Sequence, residues 1–349
     1  MRWENLRVSD DGAGGDAIPL LPRGAVAQTF DTPGFRGITF YEIHARSIIN
    51  RVPAGSRVPF EWTINPYRGC SHACVYCFAR KTHEYLDLNA GPDFDSKIIV
   101  KVNAAELLRK ELAAPSWSGG HIAMGTNVDC YQRAEGRYRL MRGILTALRD
   151  AANPFSILTK GSLILRDLDL LTQAAEVTRV SANVSVGFTG DDDLWRAVEP
   201  GTPSPRTRLE VCATLNAHGI PSGVLMAPIL PYLTDSPRRL RETVRRIAET
   251  GATSVTPLVL HLRPGAREWF MTWLSREHPG LVPRYRELYG RGAYAPKAYQ
   301  QRIVQRVAEL AEEYGIGRST PRAARRIPPP PPGPAAVPRA TEPEQLSLL

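Results

Sequence analysis

Short apolar runs alternate with amphipathic segments through the central part of the chain. The runs are rich in β-branched and aromatic residues, as in buried strands, whereas the segments repeat apolar residues every three or four positions, as in helices. The pattern predicts six strands, at residues 60–67, 121–129, 155–160, 179–188, 221–230 and 254–260. It predicts helices at residues 74–86, 103–114, 138–151, 163–175, 206–219 and 236–251. One further apolar run, residues 97–102, precedes the helix that is predicted to start from an N-cap at Asn103.

This alternation predicts an α/β fold with a parallel sheet, because parallel strands need a helical crossover between them. The sheet is either open or closed into a barrel, and in both forms ligands bind at the carboxyl ends of the strands. Residues that can carry chemistry follow the predicted strand ends, namely a cysteine cluster, the polar residues 125–129, Lys160 and the segment 227–231. We therefore expect the functional site at this edge of the sheet.

The chain divides into four predicted regions. After His261 the pattern changes to amphipathic helices without strands, which is typical of a helical cap over a sheet. The last residues are rich in proline and poor in apolar side chains, so they are expected to be extended and disordered. We predict a partly irregular N-terminal extension (1–59), the α/β domain (60–262), a helical C-terminal region (263–318) and a disordered tail (319–349).

Composition narrows the class of protein. With 43% hydrophobic residues in 349, the chain can bury a large core, which excludes collagen, coiled coils and wholesale disorder. We expect a cytoplasmic protein, because neither a membrane-spanning run of about 18 apolar residues nor a secretion signal is recognisable. The net charge of +9 favours an anionic partner such as a nucleic acid, although a GC-rich genome also produces an arginine-rich composition.

Three of the five cysteines, Cys70, Cys74 and Cys77, lie within eight positions in the spacing C-x3-C-x2-C. In a reducing compartment such a cluster indicates metal or redox chemistry rather than disulfides. Three thiolates can bind three irons of a [4Fe–4S] cluster and leave the fourth iron open to a small molecule. The alternatives are structural zinc, with His72 or His83 as a fourth ligand, and buried thiols without a ligand.

The cysteine spacing, with the aromatic Tyr76 just before the third cysteine, resembles that of the radical SAM superfamily. Within it, the segments NPYRGCSHACVYCFAR, GTNVDCYQRAE, ILTKG, VEPGTPSPRTRLE and APILPYLTD are similar to the spore photoproduct lyase-like branch, over roughly residues 40 to 262. The resemblance implies a partial (β/α)6 barrel with a [4Fe–4S] cluster at its mouth. It also implies S-adenosylmethionine (SAM) across the strand ends, a 5′-deoxyadenosyl radical, and a reductant such as flavodoxin or ferredoxin.

The resemblance implies further roles for residues at the strand ends. Gly125 would allow close backbone approach, with the SAM ammonium near Thr126, Asn127 and Asp129; the alternative is an ordinary polar loop. Lys160 would pair with the SAM carboxylate or, alternatively, be solvated. Asn183 and Ser185, two positions apart on one strand, would face the ribose hydroxyls. Glu199 and Arg208 would be an acid and a base flanking the site, or else a salt bridge that shapes the loop. Met226 and Pro228 would pack against adenine.

The two remaining cysteines have different predicted roles. Cys212 is expected to be a small core residue, because it shares a helix face with Leu209. Cys130 directly follows a strand and is expected at the mouth of the site, where it could donate a hydrogen atom to a substrate radical. Arg133 replaces the proline that is more common after Tyr-Gln in this loop.

The sequence therefore predicts a radical SAM enzyme whose substrate is a nucleic acid, as in photoproduct lyase-like DNA repair. Two alternatives stay open: a radical SAM enzyme acting on a protein or small molecule, and a non-catalytic, metal-bearing nucleic-acid-binding protein. The last five residues, Gln345–Leu349, resemble the short peptide with which bacterial replication and repair proteins bind the sliding clamp. A chance match, or leucines folded back onto the protein, is the alternative for this peptide.

Overall fold

The computed structural model describes residues 21, 24–53, 55–56 and 58–316. Its strands are β1 (Val26–Thr29), β2 (Thr39–Ile43), β3 (Ile49–Arg51), β4 (Trp62–Ile64), β5 (Tyr67–Arg68), β6 (Lys97–Lys101), β7 (Ile122–Met124), β8 (Phe155–Thr159), β9 (Val180–Ser185), β10 (Val224–Ile229) and β11 (Val255–Val259). The predicted tail (319–349) and its clamp-like peptide lie outside the described residues.

The α-helices are α1 (Pro92–Ser96), α2 (Ala104–Leu112), α3 (Arg133–Tyr138), α4 (Leu140–Asp150), α5 (Leu168–Val177), α6 (Asp192–Val198), α7 (Pro205–Ala217), α8 (Pro237–Ala248), α9 (Ala266–Glu277), α10 (Val282–Leu288) and α11 (Lys297–Glu313). Short 3-10 helices occur at Pro33–Phe35, Phe78–Leu86, Ser162–Asp167 and Pro279–Leu281. The short helices α3 and α6 were not predicted from the sequence.

The larger sheet has the strand order β11-β10-β9-β8-β7-β4-β3. Six of its strands are parallel, and β3 pairs with β4 in the antiparallel direction at one edge. The six parallel strands are those predicted from the sequence and follow each other in space as they do along the chain. The predicted α/β architecture with a parallel sheet is confirmed.

A second sheet, with the order β1-β2-β6-β5, was not predicted. The apolar run at residues 97–102 forms its strand β6, which pairs with β2 in parallel. The strand predicted at residues 60–67 is wrong in its second half, because β4 ends at Ile64 and Tyr67–Arg68 forms β5 in this second sheet. Pro66 separates the two strands, since it has no N–H for a ladder, while its carbonyl accepts from Lys101 N at 3.0 Å.

Two local predictions near the site are corrected. The helix predicted over residues 74–86 is a 3-10 helix that begins only at Phe78, because a tight turn in which Cys77 N bonds Cys74 O precedes it. Asn103 does not cap α2: its side chain accepts from Ala45 N at 2.9 Å and donates to Ala45 O at 3.0 Å. Neither the tight turn before Phe78 nor the contact of Asn103 with Ala45 is visible in the sequence pattern.

The helical C-terminal region packs beside the strand ends. Helix α9 contacts the 3-10 helix that follows the cysteines, and α11 packs on α8 and β11. The Tyr285 hydroxyl donates to Pro231 O at 2.7 Å and the Tyr289 hydroxyl to Leu260 O at 2.7 Å. These bonds fix the residues that follow β10 and β11.

None of the helices in the described part of the chain has both the length and the hydropathy needed to span a membrane.

Candidate active site

An open cleft of about 870 Å³ lies at the carboxyl ends of the parallel strands. The cysteine loop forms one wall, and the loops after β7 and β8 form another. Polar lining comes from His72, Thr126, Asn127, Asp129, Thr159, Lys160 and Ser185, and apolar lining from Tyr76, Phe78, Leu158, Leu225, Ala227, Pro228, Leu258 and Leu260. The cleft thus combines an apolar wall with a small number of polar groups, as ligand pockets commonly do.

All three motif cysteines line this cleft, with Cys70 and Cys74 buried and Cys77 partly buried. Burial raises the pKa of all three thiols, that of Cys74 to about 12. Iron would oppose this effect, because a coordinating metal stabilises the thiolate. Among the described residues, no group of three His, Cys, Asp or Glu side chains is arranged to hold a single metal ion. A cubane cluster does not need such a group, because each thiolate binds a different iron.

The backbone of the cysteine loop is held by Gln132, whose side chain is fully buried. Its Oε1 accepts from Ser71 N at 2.9 Å, and its Nε2 donates to Gly69 O at 2.9 Å. The amide therefore bonds both residues that flank Cys70. Gln132 was not among the predicted site residues, although its place directly after the loop of β7 was a usable signal.

A second brace is Arg80, which is 0% exposed. Its guanidinium donates to Cys74 O at 3.0 Å and to both carboxylate oxygens of Asp95 at 2.9 Å. The charged group lies 5.2 Å from the ring of Phe94 and 4.8 Å from that of Trp269, in cation–π range. A buried guanidinium is stable only when its charge and its N–H groups have such partners. Because Arg80 is held in this way, it fixes the position of the Cys74 carbonyl.

The segment after α6 packs against the same loop through its backbone. Val75 N donates to Val198 O at 3.0 Å, and Gly201 N donates to His72 O at 3.0 Å. A Cβ at Gly201 would lie 1.9 Å from Ser71 O, so only glycine permits this approach.

Glu199 and Arg208 form a buried ion pair in which the guanidinium also donates to Ser185 O at 2.7 Å. The other carboxylate oxygen of Glu199 accepts a hydrogen bond from the Tyr76 hydroxyl. Burial alone would raise the pKa of Glu199, but the positive charges of Arg208 and Lys160 outweigh it and hold the pKa below its usual value. Neither Glu199 nor Arg208 lines the cleft; the pair forms the salt bridge that was the alternative to an acid and a base flanking the site, and it holds the Tyr76 hydroxyl.

The loop after β7 places Gly125, Thr126, Asn127 and Asp129 along the cleft. The close approach that requires Gly125, at φ +74°, is to the neighbouring strand, since a Cβ there would lie 1.8 Å from Leu158 O.

The carboxylate of Asp129 is engaged by its surroundings. It accepts from Tyr131 N at 2.8 Å, Thr159 Oγ1 at 2.7 Å and Lys160 N at 2.7 Å. Its Oδ2 also lies 3.4 Å from His72 Nδ1. Asp129 thus joins the ends of β7 and β8 to the cysteine loop.

Lys160 and Ser185 line the cleft as predicted, but Asn183 does not. The Lys160 ammonium lies 5.8 Å from the centre of the Tyr76 ring, and the Ser185 hydroxyl donates to Ala227 O at 3.0 Å. Asn183 Oδ1 accepts from Gly223 N at 2.9 Å. The two residues share one face of β9, but Asn183 lies two positions before the carboxyl end of the strand, where the Gly223 amide donates to its oxygen.

Cys130 is 0% exposed and packs in the core instead of lining the cleft, which corrects its expected place at the mouth. Burial raises the pKa of its thiol, and the neighbouring Asp129 carboxylate adds to this effect.

Cys212 is also fully buried in the core, as predicted. Met226 points into the core as well, whereas Pro228 lines the cleft.

His261 lines the cleft and was not predicted as a site residue. Its burial, with a further contribution from the Arg263 charge, lowers the pKa of the imidazole to about 4, so the ring is neutral at neutral pH. The position of His261 directly after the last strand, β11, was the available signal.

Comparison with known proteins identifies the family. The sequence model of the Radical SAM superfamily matches residues 64–253, which include the cysteine motif and the parallel strands β7 to β10. The chain belongs to the radical SAM superfamily. It therefore uses a [4Fe–4S] cluster and SAM. Of the three alternatives for the cysteines, this excludes structural zinc and thiols without a ligand.

Relatives of this radical SAM protein occur in bacteria and archaea. The uncharacterized protein Rv2578c of Mycobacterium tuberculosis is 50% identical over 318 residues, which cover 90% of this chain and 93% of the relative. The uncharacterized protein MJ0683 of Methanocaldococcus jannaschii is 30% identical over 211 residues, covering 59% of this chain and 73% of the relative.

Among solved structures, the fold resembles that of spore photoproduct lyase complexed with dinucleoside spore photoproduct. The TM-score is 0.59 at 16% sequence identity, and the match covers 79% of each chain. A mutant of that lyase with bound AdoMet gives the same TM-score of 0.59 at 15% identity, covering 78% of each chain. The predicted likeness to the spore photoproduct lyase fold is confirmed.

Proposed function

We propose that this radical SAM enzyme acts on a nucleic acid. The carrying observation is the fold shared with spore photoproduct lyase, a protein solved with a dinucleoside photoproduct, over 79% of each chain. The cleft is open to solvent at the strand ends, and the net charge of +9 favours a polyanion.

The residues of the cleft supply the binding functions that this chemistry needs. Cys70, Cys74 and Cys77 would hold the cluster, and Lys160, Asn127 and Ser185 offer charge and hydrogen bonds for the polar groups of SAM. A cluster held there would supply the electron for the reductive cleavage of SAM to a 5′-deoxyadenosyl radical. The apolar lining at Leu225, Pro228 and Leu258 would keep water away from that reaction.

Asp129, Glu199 and Arg208 act in this proposal as positioning residues. The carboxylate oxygens of Asp129 accept hydrogen bonds from two loop amides and a hydroxyl. The Glu199–Arg208 pair holds the Tyr76 hydroxyl. The Tyr76 ring lines the cleft and is thereby fixed as a wall for SAM.

A lyase-type repair reaction is the first activity to assay. In this conformation Cys130 cannot be the residue that donates a hydrogen atom to the substrate radical. Cys130 is fully buried behind the cleft. We keep a flavodoxin or ferredoxin as the proposed electron source and cytoplasm as the proposed location.

The clamp-binding peptide at Gln345–Leu349 also stays a prediction. Fluorescence polarisation with a labelled peptide of residues 340–349 against purified clamp tests it. Saturable binding that is lost when Gln345, Leu348 and Leu349 become alanine would support it.

The proposed function is tested with anaerobic, cluster-loaded protein. Incubation with SAM and dithionite should release 5′-deoxyadenosine, and a crosslinked thymine dimer in an oligonucleotide should be converted to its monomers. DNA affinity should fall steeply with rising salt, because each neutralised phosphate releases counterions. A salt-independent affinity, or turnover of a peptide instead of an oligonucleotide, would contradict the nucleic-acid substrate without contradicting SAM cleavage.

A further inference from the structure

Three aromatic side chains, Phe78, His261 and Tyr294, lie together at the mouth of the cleft; we call them the aromatic platform. Phe78 and His261 line the cleft. The rings of Phe78 and His261 have centroids 5.8 Å apart with planes at 38°, and those of His261 and Tyr294 have centroids 5.6 Å apart with planes at 24°. The rings therefore continue the cleft wall toward solvent.

The platform is unusually exposed for aromatic residues. Phe78 is 38% and Tyr294 is 52% exposed. In the part of the chain that the structure describes, the exposed large hydrophobic side chains include three aromatic ones, and two of these belong to the platform. Exposed rings gathered beside a cofactor cleft mark a surface that contacts another molecule.

The backbone of the platform is held by bonds within the protein. His261 and Tyr294 are paired by a backbone bridge, and Leu262 N donates to Ala293 O at 2.7 Å beside it. Phe78 begins the 3-10 helix directly after Cys77, so the cysteine loop fixes its backbone. Rings held in this way lose little conformational entropy when they stack on a ligand.

Charge at the platform is positive and comes from Arg263. Its guanidinium donates to the Tyr294 hydroxyl at 2.9 Å and lies 5.9 Å from the Phe78 ring. The imidazole of His261 is neutral at neutral pH, as described above. Flat uncharged rings with one exposed guanidinium are the combination that binds single-stranded nucleic acid, through base stacking and phosphate contact.

We propose that the aromatic platform stacks an unpaired nucleobase of the substrate while Arg263 binds a neighbouring phosphate. This inference rests on the proposed function and deepens it, because a base inside a duplex cannot offer its face to a protein ring. The substrate is therefore single-stranded, or its target base is extruded from the helix before reaction. Stacking accepts any base, so the platform provides affinity rather than sequence preference.

The test uses the cluster-loaded full-length protein and a single-stranded oligonucleotide of about ten nucleotides that carries the fluorescent base 2-aminopurine. Tyr294→Ala should weaken binding about tenfold, the usual effect of losing one stacking ring, and should reduce the change in 2-aminopurine emission. Tyr294→Phe keeps the ring and should bind like wild type. Arg263→Gln should lower the slope of log affinity against log salt by about one.

The matched control is Tyr85→Ala. Tyr85 is 58% exposed and lies on the same 3-10 helix as Phe78 but outside the platform, so its loss should leave binding unchanged. Iron content and thermal unfolding show whether each variant is folded. Phe78→Leu removes a different ring of the platform, and it replaces Tyr294→Ala as the test variant if Tyr294→Ala proves unstable.

The outcomes separate the two proposals. If wild type binds the oligonucleotide but Tyr294→Ala and Phe78→Leu bind equally well, the platform is overturned and the nucleic-acid substrate stands. Tighter binding of a fully paired duplex than of the single strand, with no change in 2-aminopurine emission, also overturns the platform alone. If wild type binds neither DNA form, the proposed function fails and the inference fails with it.

Discussion

The two faces of the cysteine loop are built differently. We call the face that lines the cleft the front, with the three motif thiols and Lys160, and the face that packs on the protein the back, with Arg80 and Gln132. The back is buried and its polar groups bond the loop backbone. At the front, the Lys160 ammonium lies 5.8 Å from the centre of the Tyr76 ring.

This difference separates binding groups from supporting groups. The motif thiols and the Lys160 ammonium at the front face the cleft, whereas the side chains at the back bond the loop backbone and hold its shape. Substitutions at the front should therefore impair binding with little loss of stability, and substitutions at the back should impair stability first. The following experiments test this division.

The largest effect is expected at the front, from the cluster ligands. Alanine in place of Cys70, Cys74 or Cys77 should each reduce iron from about four atoms per chain to almost none, because each thiolate holds a different iron. Iron and sulfide analysis after anaerobic reconstitution measures this. Cys130→Ala and Cys212→Ala are the controls; a loss of iron in Cys130→Ala would contradict the placement of that side chain in the core.

At the back, Arg80→Met should cost about 3–5 kcal/mol in the free energy of unfolding. The variant leaves the Asp95 carboxylate and the Cys74 carbonyl without their buried cationic partner. Urea unfolding of wild type and variant measures the difference. Arg196→Met removes an exposed pair with Asp193 and should change little; equal effects of the two substitutions would contradict the special role of the back.

A smaller effect is expected from Lys160→Met. The loss of one charged contact should weaken SAM binding about tenfold, while iron content and unfolding stay those of wild type. Equilibrium dialysis with labelled SAM measures the affinity, and Lys110→Met, on the exposed side of α2, is the control. Unchanged SAM affinity in Lys160→Met would remove Lys160 from the SAM site.

The smallest effect is a pH dependence from His83, which lies on the same 3-10 helix as Arg80. Burial lowers its pKa to about 4, so the folded state keeps the imidazole neutral, with Nε2 bonded to Lys97 O at 2.9 Å. The unfolded state takes up a proton below a pH of about 6.5, so this contribution to stability is present above that pH and is lost as the pH falls toward 4.

Between pH values of about 7 and 5.5, His83 should lower the free energy of unfolding by about 1 kcal/mol. Urea unfolding at the two pH values measures it, and His83→Gln should show a correspondingly weaker pH dependence. His218→Gln changes an exposed histidine and should keep the wild-type dependence. The same pH dependence in His83→Gln would assign the effect to other groups.

Much of the fold was predictable because it depends on local patterns. Apolar runs separated by amphipathic helices gave the six parallel strands, and the spacing of Cys70, Cys74 and Cys77 gave the cofactor class. The second sheet was missed because its central pair joins two distant segments, β2 and β6. Periodicity reports which faces are buried and contains no information on which strand lies beside which.

For the site, the sequence by itself determined which residues follow the strand ends, and Lys160, Ser185 and residues 125–129 do line the cleft. Only the tertiary structure decided the direction of each side chain. Cys130 follows the cleft residue Asp129 in the sequence, yet its side chain lies in the core. Glu199 belongs to a loop near the site, yet its carboxylate bonds Tyr76 and Arg208. A buried charge or thiol is oriented by partners far along the chain, and those partners become neighbours only on folding.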